Sequence, residues 1–369
     1  MGNAATTDRI EAKEQLSIAS QYRLMWLKFR KHKLAMVGSW MIAVLAFGAI
    51  FCEPLSPYLT DRRDTEHIFA PPQRIRFFDQ GKFSPRPFVY GYVLRLDMKT
   101  LQRVYTVDTT RRFPIYLFVR ADSYKFWGII PTTIHLFGVR EGYMYILGTD
   151  EMGRDLFSRV LYAARVSLSV GLIGVAITFM LNVLIGGISG YYGGRVDMVI
   201  QRIHDFLQSV PRLPLWMTLS AALPIYWTSL RVYFVITIIL ALTSFGGRAI
   251  RSKCLAIREE EFVLAAKVCG ATDPFIILRH LIPSLMSWLI VDLTLSVPHM
   301  ILSETALSFI GLGLRPPIVS WGVLLADAQN IHSVAKAPWL LIPGLFVVVT
   351  VFAFNFFGDG LRDAADPYK

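Results

Sequence analysis

Long apolar runs, separated by polar segments, give this sequence its most regular pattern. A helix rises about 1.5 Å per residue and the hydrocarbon core of a bilayer is about 30 Å thick, so a run of about 20 apolar residues can cross it. Six runs meet or approach this length, at 34–51, 166–194, 213–230, 232–247, 284–312 and 337–357. The sequence therefore predicts an all-α polytopic membrane protein with six transmembrane helices, the first over 34–53 and the other five in a core over 159–369.

Residues 54–158 follow a different pattern, in which apolar and polar positions alternate. A period of two along the chain predicts β-strands. The segments 89–96 and 102–107 predict a hairpin with a turn around 97–100, and the segment 114–119 predicts a third strand. Because connections of about a hundred residues without secondary structure are uncommon, we expect a small, mostly β domain between the first and second transmembrane helices.

Composition and charge predict which helix ends are cytoplasmic. Of the 369 residues, 54% are hydrophobic, and the net charge is +11. Basic residues concentrate within 23–33, 195–212 and 248–279, and such an excess is typical of cytoplasmic segments. The tail 1–33, which ends in a predicted interfacial helix, the loop 248–283 and the C-terminus are therefore predicted to be cytoplasmic. Residues 54–158 are predicted to be extracytoplasmic, since long loops translocate largely regardless of charge. This distribution indicates membrane lipid, and no nucleic acid, as a partner.

The segment 261–283 is polar and amphipathic although it lies between two strongly apolar runs. Small or apolar residues recur at helical spacing at Phe262, Ala265, Ala266 and Cys269. Gly270 predicts the end of this short helix. Asp273 followed by Pro274 predicts an N-cap and the first position of a second helix. A face of small residues lets the backbone of another protein approach closely, which favours a docking surface; a plain surface connector is the alternative.

Three stretches resemble the permeases of binding-protein-dependent ABC importers. The first has Ala265-Ala266, Gly270, Asp273, Arg279-His280 and Pro283 in the spacing of the cytoplasmic loop of that family. The segments 147–168 and 358–367 are similar to the stretch before the second helix and to the C-terminal end in the dipeptide, oligopeptide and nickel subfamily. Leu264 stands where many members have an acidic residue, with Glu261 nearby, a departure that is common in this subfamily. The insert 54–146 is longer than this resemblance leads us to expect.

The resemblance implies a type I ABC importer permease fold and the second-permease, or C-type, subunit of such an importer. It implies a pore subunit that moves a peptide, nickel or a related small solute by alternating access in the bacterial inner membrane. The implied partners are a second permease, two cytoplasmic ATPases that bind ATP and Mg²⁺, and an extracytoplasmic solute-binding protein; no cofactor is expected in this chain. The implied ATPase-docking residues are Glu261, Ala265, Ala266, Gly270, Ala271 and Asp273.

Two further groups of residues are candidates for functional sites. Glu304 lies inside a predicted span, where an ionisable side chain marks a pathway or a polar brace between helices. Glu304 and Met300 are therefore candidates for the translocation pathway, with the brace as the equal alternative for Glu304. Asp150, Arg154 and Asp155 lie in a stretch rich in turn formers and paired charges, which favours an outer cap over a direct solute site.

Two other classes of protein remain open from the sequence. Ser189, in the sequence Gly-Ile-Ser-Gly at 187–190, with His299 as base would suit an intramembrane serine protease. A channel that needs no ATPase is the second alternative. The sequence has no Gly-rich phosphate loop of the Walker type and no clustered His and Cys residues with metal-ligand spacing. Hydrolysis of ATP is therefore expected in partner chains, and catalytic and metal-binding residues are not expected here.

Overall fold

The computed structural model describes residues 21–79, 82–98, 102–224, 226–244 and 247–365. The α-helices are α1 Gln21–Lys31, α2 Lys33–Ile50, α3 Cys52–Leu55, α4 Leu156–Tyr192, α5 Gly194–Ser209, α6 Arg212–Ala221, α7 Ser229–Ser244, α8 Arg248–Ile257, α9 Glu261–Val268, α10 Asp273–Ile276, α11 Ile282–Ser284, α12 Met286–Phe309, α13 Trp321–Ala326, α14 Ile331–Lys336 and α15 Ile342–Ala365. A π-helical turn, Ile277–Leu281, and two 3-10 turns, Asp327–Gln329 and Pro338–Leu341, join some of them. The strands are β1 Arg76–Asp79, β2 Lys82–Asp97, β3 Gln102–Phe126 and β4 Ile130–Val139.

Four helical segments within the described residues are long and apolar enough to cross a membrane: Lys33–Ile50, Leu156–Tyr192, Met286–Phe309 and Pro338–Ala365. A fifth is obtained if α7 and α8, which are bent by 47° relative to each other, are taken as one span. The predicted third span over 213–230 is not a continuous helix, because α6 ends at Ala221 after ten residues. Ten helical residues rise about 15 Å, half of a hydrocarbon core.

The second span differs in length from its prediction. Helix α4 has 37 residues and begins at Leu156, ten residues before the uncharged run. Its first turns carry Arg159 and Arg165, which interrupt the apolar pattern but are paired with carboxylates, as described below. The first span is shorter than predicted, since α2 ends at Ile50 and a separate helix, α3, follows.

Glycines allow α4 to approach α12 closely at the centre of the helical core. A Cβ atom at Gly171 would lie 2.6 Å from the Ile301 side chain, and one at Gly174 would lie 2.9 Å from Met300. Helix α2 packs on α15, where a Cβ atom at Gly38 would lie 2.7 Å from the carbonyl oxygen of Ala353. Only 17% of the apolar window of α2 is buried, against 33% for the other three spans, so α2 lies at the periphery of the chain.

The segment between α3 and α4 contains an antiparallel four-stranded sheet in the order β1-β2-β3-β4. The predicted second and third strands are one strand of 25 residues, β3, whose first half pairs with β2 and whose second half pairs with β4. The register with β2 shifts between Tyr90 and Gly91, where β3 accommodates extra residues. The alternation did not reveal β1 or β4. Part of the predicted turn around 97–100 lies outside the described residues.

Candidate functional site

The segment 248–283 begins with α8, which lies against the end of α4. A Cβ atom at Gly186 would lie 2.6 Å from the carbonyl oxygen of Gly247, and one at Gly190 would lie 2.5 Å from the Cβ of Cys254. Glycine at both positions therefore lets the two helix backbones come together. Two ion pairs reinforce this contact: Arg251 binds Asp197, and Arg248 binds Asp205, both carboxylates being on α5.

Helix α9 ends in a Schellman motif centred on Gly270. The Gly270 N–H donates to the carbonyl oxygen of Lys267 at 3.0 Å, and the Ala271 N–H donates to that of Ala266 at 3.1 Å. The φ angle of Gly270 is +81°, a conformation that glycine adopts without the steric cost of a Cβ atom. The helix thus ends where the sequence predicts, and the chain turns sharply into α10.

The start of α10 differs from its prediction. The N-cap is Thr272, and Asp273 is the first residue of the helix. The Asp273 side chain instead accepts a hydrogen bond of 2.7 Å from the hydroxyl of Tyr191, at the end of α4. The ammonium group of Lys267 lies 5.0 Å from the centre of the same tyrosine ring. Tyr191 therefore links the turn between α9 and α10 to the end of α4.

Large apolar side chains are exposed on α9, on α10 and on the π-helical turn that follows them. Val263 and Ile276 face inward and join a buried cluster with Tyr191, Ile250 and Leu281. Five large apolar side chains nevertheless remain exposed, with Val268 at 89%; we call them the apolar ridge, and they are Phe262, Leu264, Val268, Phe275 and Leu278. Large apolar side chains that remain exposed within one short segment, over a buried base, favour a protein contact.

The predicted docking residues are arranged along this segment. Glu261, Ala265 and Gly270 are exposed, whereas Ala266, Ala271 and Asp273 are half-buried. The predicted face of small residues is therefore only part of the exposed surface. Of the apolar ridge, the sequence indicated only Phe262 as part of this face, because helical spacing alone does not say which apolar positions are buried.

The polar cluster beneath α8 involves Ser189. Its hydroxyl donates to Asp197 at 2.6 Å and accepts a hydrogen bond from the side-chain amide of Gln201 at 3.3 Å. The Arg251 guanidinium, which binds the same carboxylate, is the main cause that lowers the pKa of Asp197 below its ordinary value. Ser189 thus joins α4, α5 and α8 in an ion-pair network and does not show the serine–histidine hydrogen bond that nucleophilic catalysis uses.

Asp150 and Arg154 form a compact cap before α4. The Asp150 carboxylate accepts hydrogen bonds from the backbone N–H of Met152 at 2.8 Å and of Arg154 at 2.9 Å, and it pairs with the side chains of Arg154 and Arg159. Both arginines also approach Asp327, beyond α13, at 3.9 and 3.5 Å. These charges connect the beginning of α4 to the segment that precedes the last span.

Asp155 is the N-cap of α4. Its carboxylate accepts hydrogen bonds from the backbone N–H and the hydroxyl of Ser158, at 2.8 and 2.6 Å. Complete burial, opposed by these hydrogen bonds, raises the pKa of Asp155 to about 6. The three predicted cap residues therefore lie together at the start of α4.

Glu304 and Met300 are buried between helices. The Glu304 carboxylate accepts hydrogen bonds from the hydroxyls of Ser308, Ser320 and Ser167, at 2.7, 2.8 and 3.4 Å. Each serine oxygen in turn accepts a backbone N–H, from Leu314, Val323 and Trp321 respectively. The carboxylate therefore orders the connection between α12 and α13, and Met300 packs against Gly174 of α4.

Several long-range contacts were not predicted from the sequence. Arg159 and Asp327 are 168 positions apart, and Arg251 and Asp197 are 54 apart. The one signal in the sequence for the first contact is an arginine within a predicted apolar helix, since a buried guanidinium needs a carboxylate partner. The described residues contain no group of three His, Cys, Asp or Glu side chains that could hold a metal ion.

Two family models match the chain. The family described as "binding-protein-dependent transport system inner membrane component" matches residues 182–368. The N-terminal TM domain of oligopeptide transport permease C matches residues 20–72. The first match covers the segment 248–283, α12 and the last span, and the second covers α1 to α3.

Relatives of this chain carry related names. It is 41% identical over 226 residues to the dipeptide transport system permease protein DppC of Bacillus subtilis, covering 60% of this chain and 68% of that protein. It is 41% identical over 229 residues to the oligopeptide transport system permease protein OppC of Haemophilus influenzae, covering 62% and 71%. The match to the dipeptide permease DppC of Lactococcus lactis, 32% identical over 371 residues, covers 98% of this chain and 94% of that protein, and so includes the insert.

A solved structure of the MetNI methionine ABC transporter in an inward-facing conformation has a TM-score of 0.42 and 14% identity, over 57% of this chain and 97% of that chain. The family matches and the Lactococcus lactis relative decide the assignment. The chain belongs to the binding-protein-dependent transport system inner membrane components, in the group of the C-type permeases.

Proposed function

We propose that this chain is the C-type pore subunit of an ATP-driven importer of peptides or related small solutes. Its family and the names of its relatives support the class of solute. The observation that carries the proposal is the apolar ridge on α9, α10 and the π-helical turn, which is exposed although its base is packed against α4. Docking of this ridge into an ATPase would bury it.

The proposed complex contains a second permease, two cytoplasmic ATPases that bind ATP and Mg²⁺, and an extracytoplasmic solute-binding protein. This chain would cross the inner membrane six times, with both termini in the cytoplasm. The third crossing then includes α6, and α7 forms the fourth. The four-stranded sheet within 54–158 is extracytoplasmic, and residues 1–33 and 248–283 are cytoplasmic.

The contacts of the docking segment suggest how movement reaches the pore. Tyr191 links the turn after α9 to α4, and Arg251 links α8 to α5. When the ATPases close on ATP, the segment 248–283 moves with them and carries the inner end of α4. Alternating access is then a shift between two states of the whole assembly, biased by ATP through differential contacts.

In this proposal Glu304 and Met300 form a brace between helices. The complete burial of Glu304 and its three serine partners favour the brace over a position on the solute pathway. Asp150, Arg154 and Asp155 form the outer cap, which holds the beginning of α4 against the segment around Asp327. The cap and the brace thus keep α4 and α12 together while the inner ends move.

Uptake measurements test this proposal. Cells that lack this chain should lose uptake of labelled di- or oligopeptides, and the intact gene should restore it. Depletion of cellular ATP should abolish the restored uptake. Uptake that persists after ATP depletion would point to a channel and contradict the proposal, as would normal peptide uptake in the deletion strain when no second importer is present.

A further inference from the structure

The turn between β3 and β4 presents large apolar side chains to its surroundings. Trp127 is 53% exposed and Ile129 is 79% exposed, and Ile130 beside them is also exposed. Trp127 and Gly128 both have positive φ angles, 52° and 73°, and the Ile129 N–H donates to the carbonyl oxygen of Phe126 at 3.0 Å. A bulky residue with a positive φ is uncommon, so this tight turn holds a tryptophan where a small polar residue is usual. We call residues 126–130 the hairpin tip.

Hydrogen bonds place the hairpin tip beside the last turn of the first span. The indole N–H of Trp127 donates to the carbonyl oxygen of Ile50 at 3.1 Å, and its backbone N–H donates to the Glu53 carboxylate at 3.2 Å. The ring of Phe126 stacks on that of Phe51, with centroids 6.1 Å apart. The tip therefore lies at the level at which α2 ends.

Arg165 of α4 holds the tip in this position. Its guanidinium lies 4.6 Å from the centre of the Trp127 ring and donates hydrogen bonds to Glu53 and to the carbonyl oxygens of Ala49 and Ile50. Burial raises the pKa of Glu53, but the hydrogen bonds and charge of Arg165, together with hydrogen bonds from the backbone N–H groups of Glu53 and Trp127, lower it below its ordinary value. A charged carboxylate and a charged guanidinium thus clamp the tip to two helices.

The exposed side chains of the tip continue an apolar surface of α2. Phe47, Ile50 and Phe51 are exposed at the end of α2, and α2 is the most exposed of the four spans. Tryptophan concentrates at the boundary between lipid and water, and lysine beside it contacts headgroups; Lys125, next to the tip, is exposed. The surface has the composition of an interfacial lipid contact.

We propose that the hairpin tip inserts into the headgroup region of the outer leaflet, with Trp127 at the interface and Ile129 and Ile130 at the acyl boundary. The inference rests on the proposed sidedness, because the sheet must lie outside. The clamp at one end and the lipid contact at the other fix the height and tilt of the sheet above the membrane. The sheet then stands at a set position relative to the mouth of the pore.

Depth measurements on the full chain, reconstituted in phosphatidylcholine vesicles with its partner subunits, test this proposal. Cys269, the exposed cysteine of the described residues, is replaced by serine, since Cys52 and Cys254 are buried. The variant Ile129→Cys then carries a fluorophore whose emission reports polarity. The matched variant Arg140→Cys carries the same probe at the opposite end of β4, roughly 30 Å away along the strand.

The probe at position 129 should show blue-shifted emission, loss of fluorescence with lipids spin-labelled near the headgroup end of the acyl chain, and protection from aqueous iodide. The probe at 140 should be quenched by iodide and unaffected by spin-labelled lipid. Iodide quenching at both positions would overturn the proposal. Protection of position 129 from iodide and spin-labelled lipid alike would overturn it too, by showing that protein covers the tip.

A second readout separates this proposal from the sidedness on which it rests. In spheroplasts, a membrane-impermeant thiol reagent should label Arg140→Cys without lysis. Labelling only after lysis would overturn the sidedness and the tip insertion together. Labelling before lysis, with position 129 open to iodide, would overturn the tip insertion alone.

Discussion

Replacing Val268 by alanine should weaken the binding of the partner ATPase and leave the stability of this chain unchanged. The Val268 side chain is 89% exposed at the end of α9, so it has few contacts to lose within the chain. The substitution removes two carbon atoms, and burial stabilises by about 0.8 kcal/mol per carbon. Full burial in the complex therefore sets the loss at no more than about 1.6 kcal/mol, or roughly fifteenfold in the dissociation constant.

The assay is a titration of the purified ATPases onto the permease pair in lipid nanodiscs. Ile331→Ala is the matched control, since Ile331 is 81% exposed and lies on α14, at the proposed outer side. Both variants should unfold at the wild-type temperature, because surface substitutions usually change stability by less than about 0.5 kcal/mol. An unchanged dissociation constant for Val268→Ala, or an equal loss for Ile331→Ala, would refute the docking of the apolar ridge.

Three further predictions concern the turn, the brace and the cap. Gly270→Val should uncouple ATP hydrolysis from peptide uptake, because valine strains the φ of +81° in the turn of the segment 248–283. Gly311→Val, at a φ of +80° in equally open space but outside that segment, should keep the coupling. Glu304→Leu should lower the free energy of unfolding by at least about 2 kcal/mol, since it removes the acceptor of three buried hydroxyls, and Glu304→Gln should cost less. The wild type should lose stability as the pH rises from about 4 to 6, and Asp155→Asn should not show this loss.

The pH prediction follows from the pKa of Asp155, which burial raises to about 6 in the folded chain from its ordinary value of 3.8. The folded state holds the proton more tightly, so this contribution is present below the unfolded pKa and is lost as the pH rises through the folded one. Asparagine can still cap the helix but does not titrate. Thermal unfolding of both proteins between pH 4 and pH 7 gives the difference, and parallel curves would contradict the burial argument.

Specific outcomes would also contradict the predictions for the glycine variants and for Glu304→Leu. Coupled uptake in Gly270→Val would show that the turn does not act as a lever, and uncoupling in Gly311→Val would show that the effect is not local. Wild-type unfolding of Glu304→Leu would show that the three serines find other acceptors, and would remove the brace from the account.

Local patterns predicted well where one interaction decides the structure. The end of α9 follows from Gly270, because the Schellman turn needs a residue that tolerates a positive φ. The predicted cap residues Asp150, Arg154 and Asp155 lie together because they are neighbours in sequence. The family resemblance, carried by the docking segment, is confirmed by the matching family models.

Elements fixed by distant contacts were harder to predict. Helix α4 begins at Leu156, before both the predicted core boundary at 159 and the uncharged run from 166, since Arg159 and Arg165 look like boundary charges until Asp150 and Glu53 are seen beside them. The third span was predicted from hydropathy, which does not register how helix α6 ends. Asp273 was assigned as an N-cap because its partner, Tyr191, is 82 positions away.

The central claim is that this chain is one half of a pore driven by ATPases, and a pull-down from native membranes tests it most directly. The chain would carry a C-terminal tag and be purified in mild detergent, and every co-purifying protein would be identified and quantified. The account predicts one copy of a second permease and two ATPase subunits per tagged chain. Recovery of the tagged chain alone, from a preparation in which other membrane complexes survive, would contradict it.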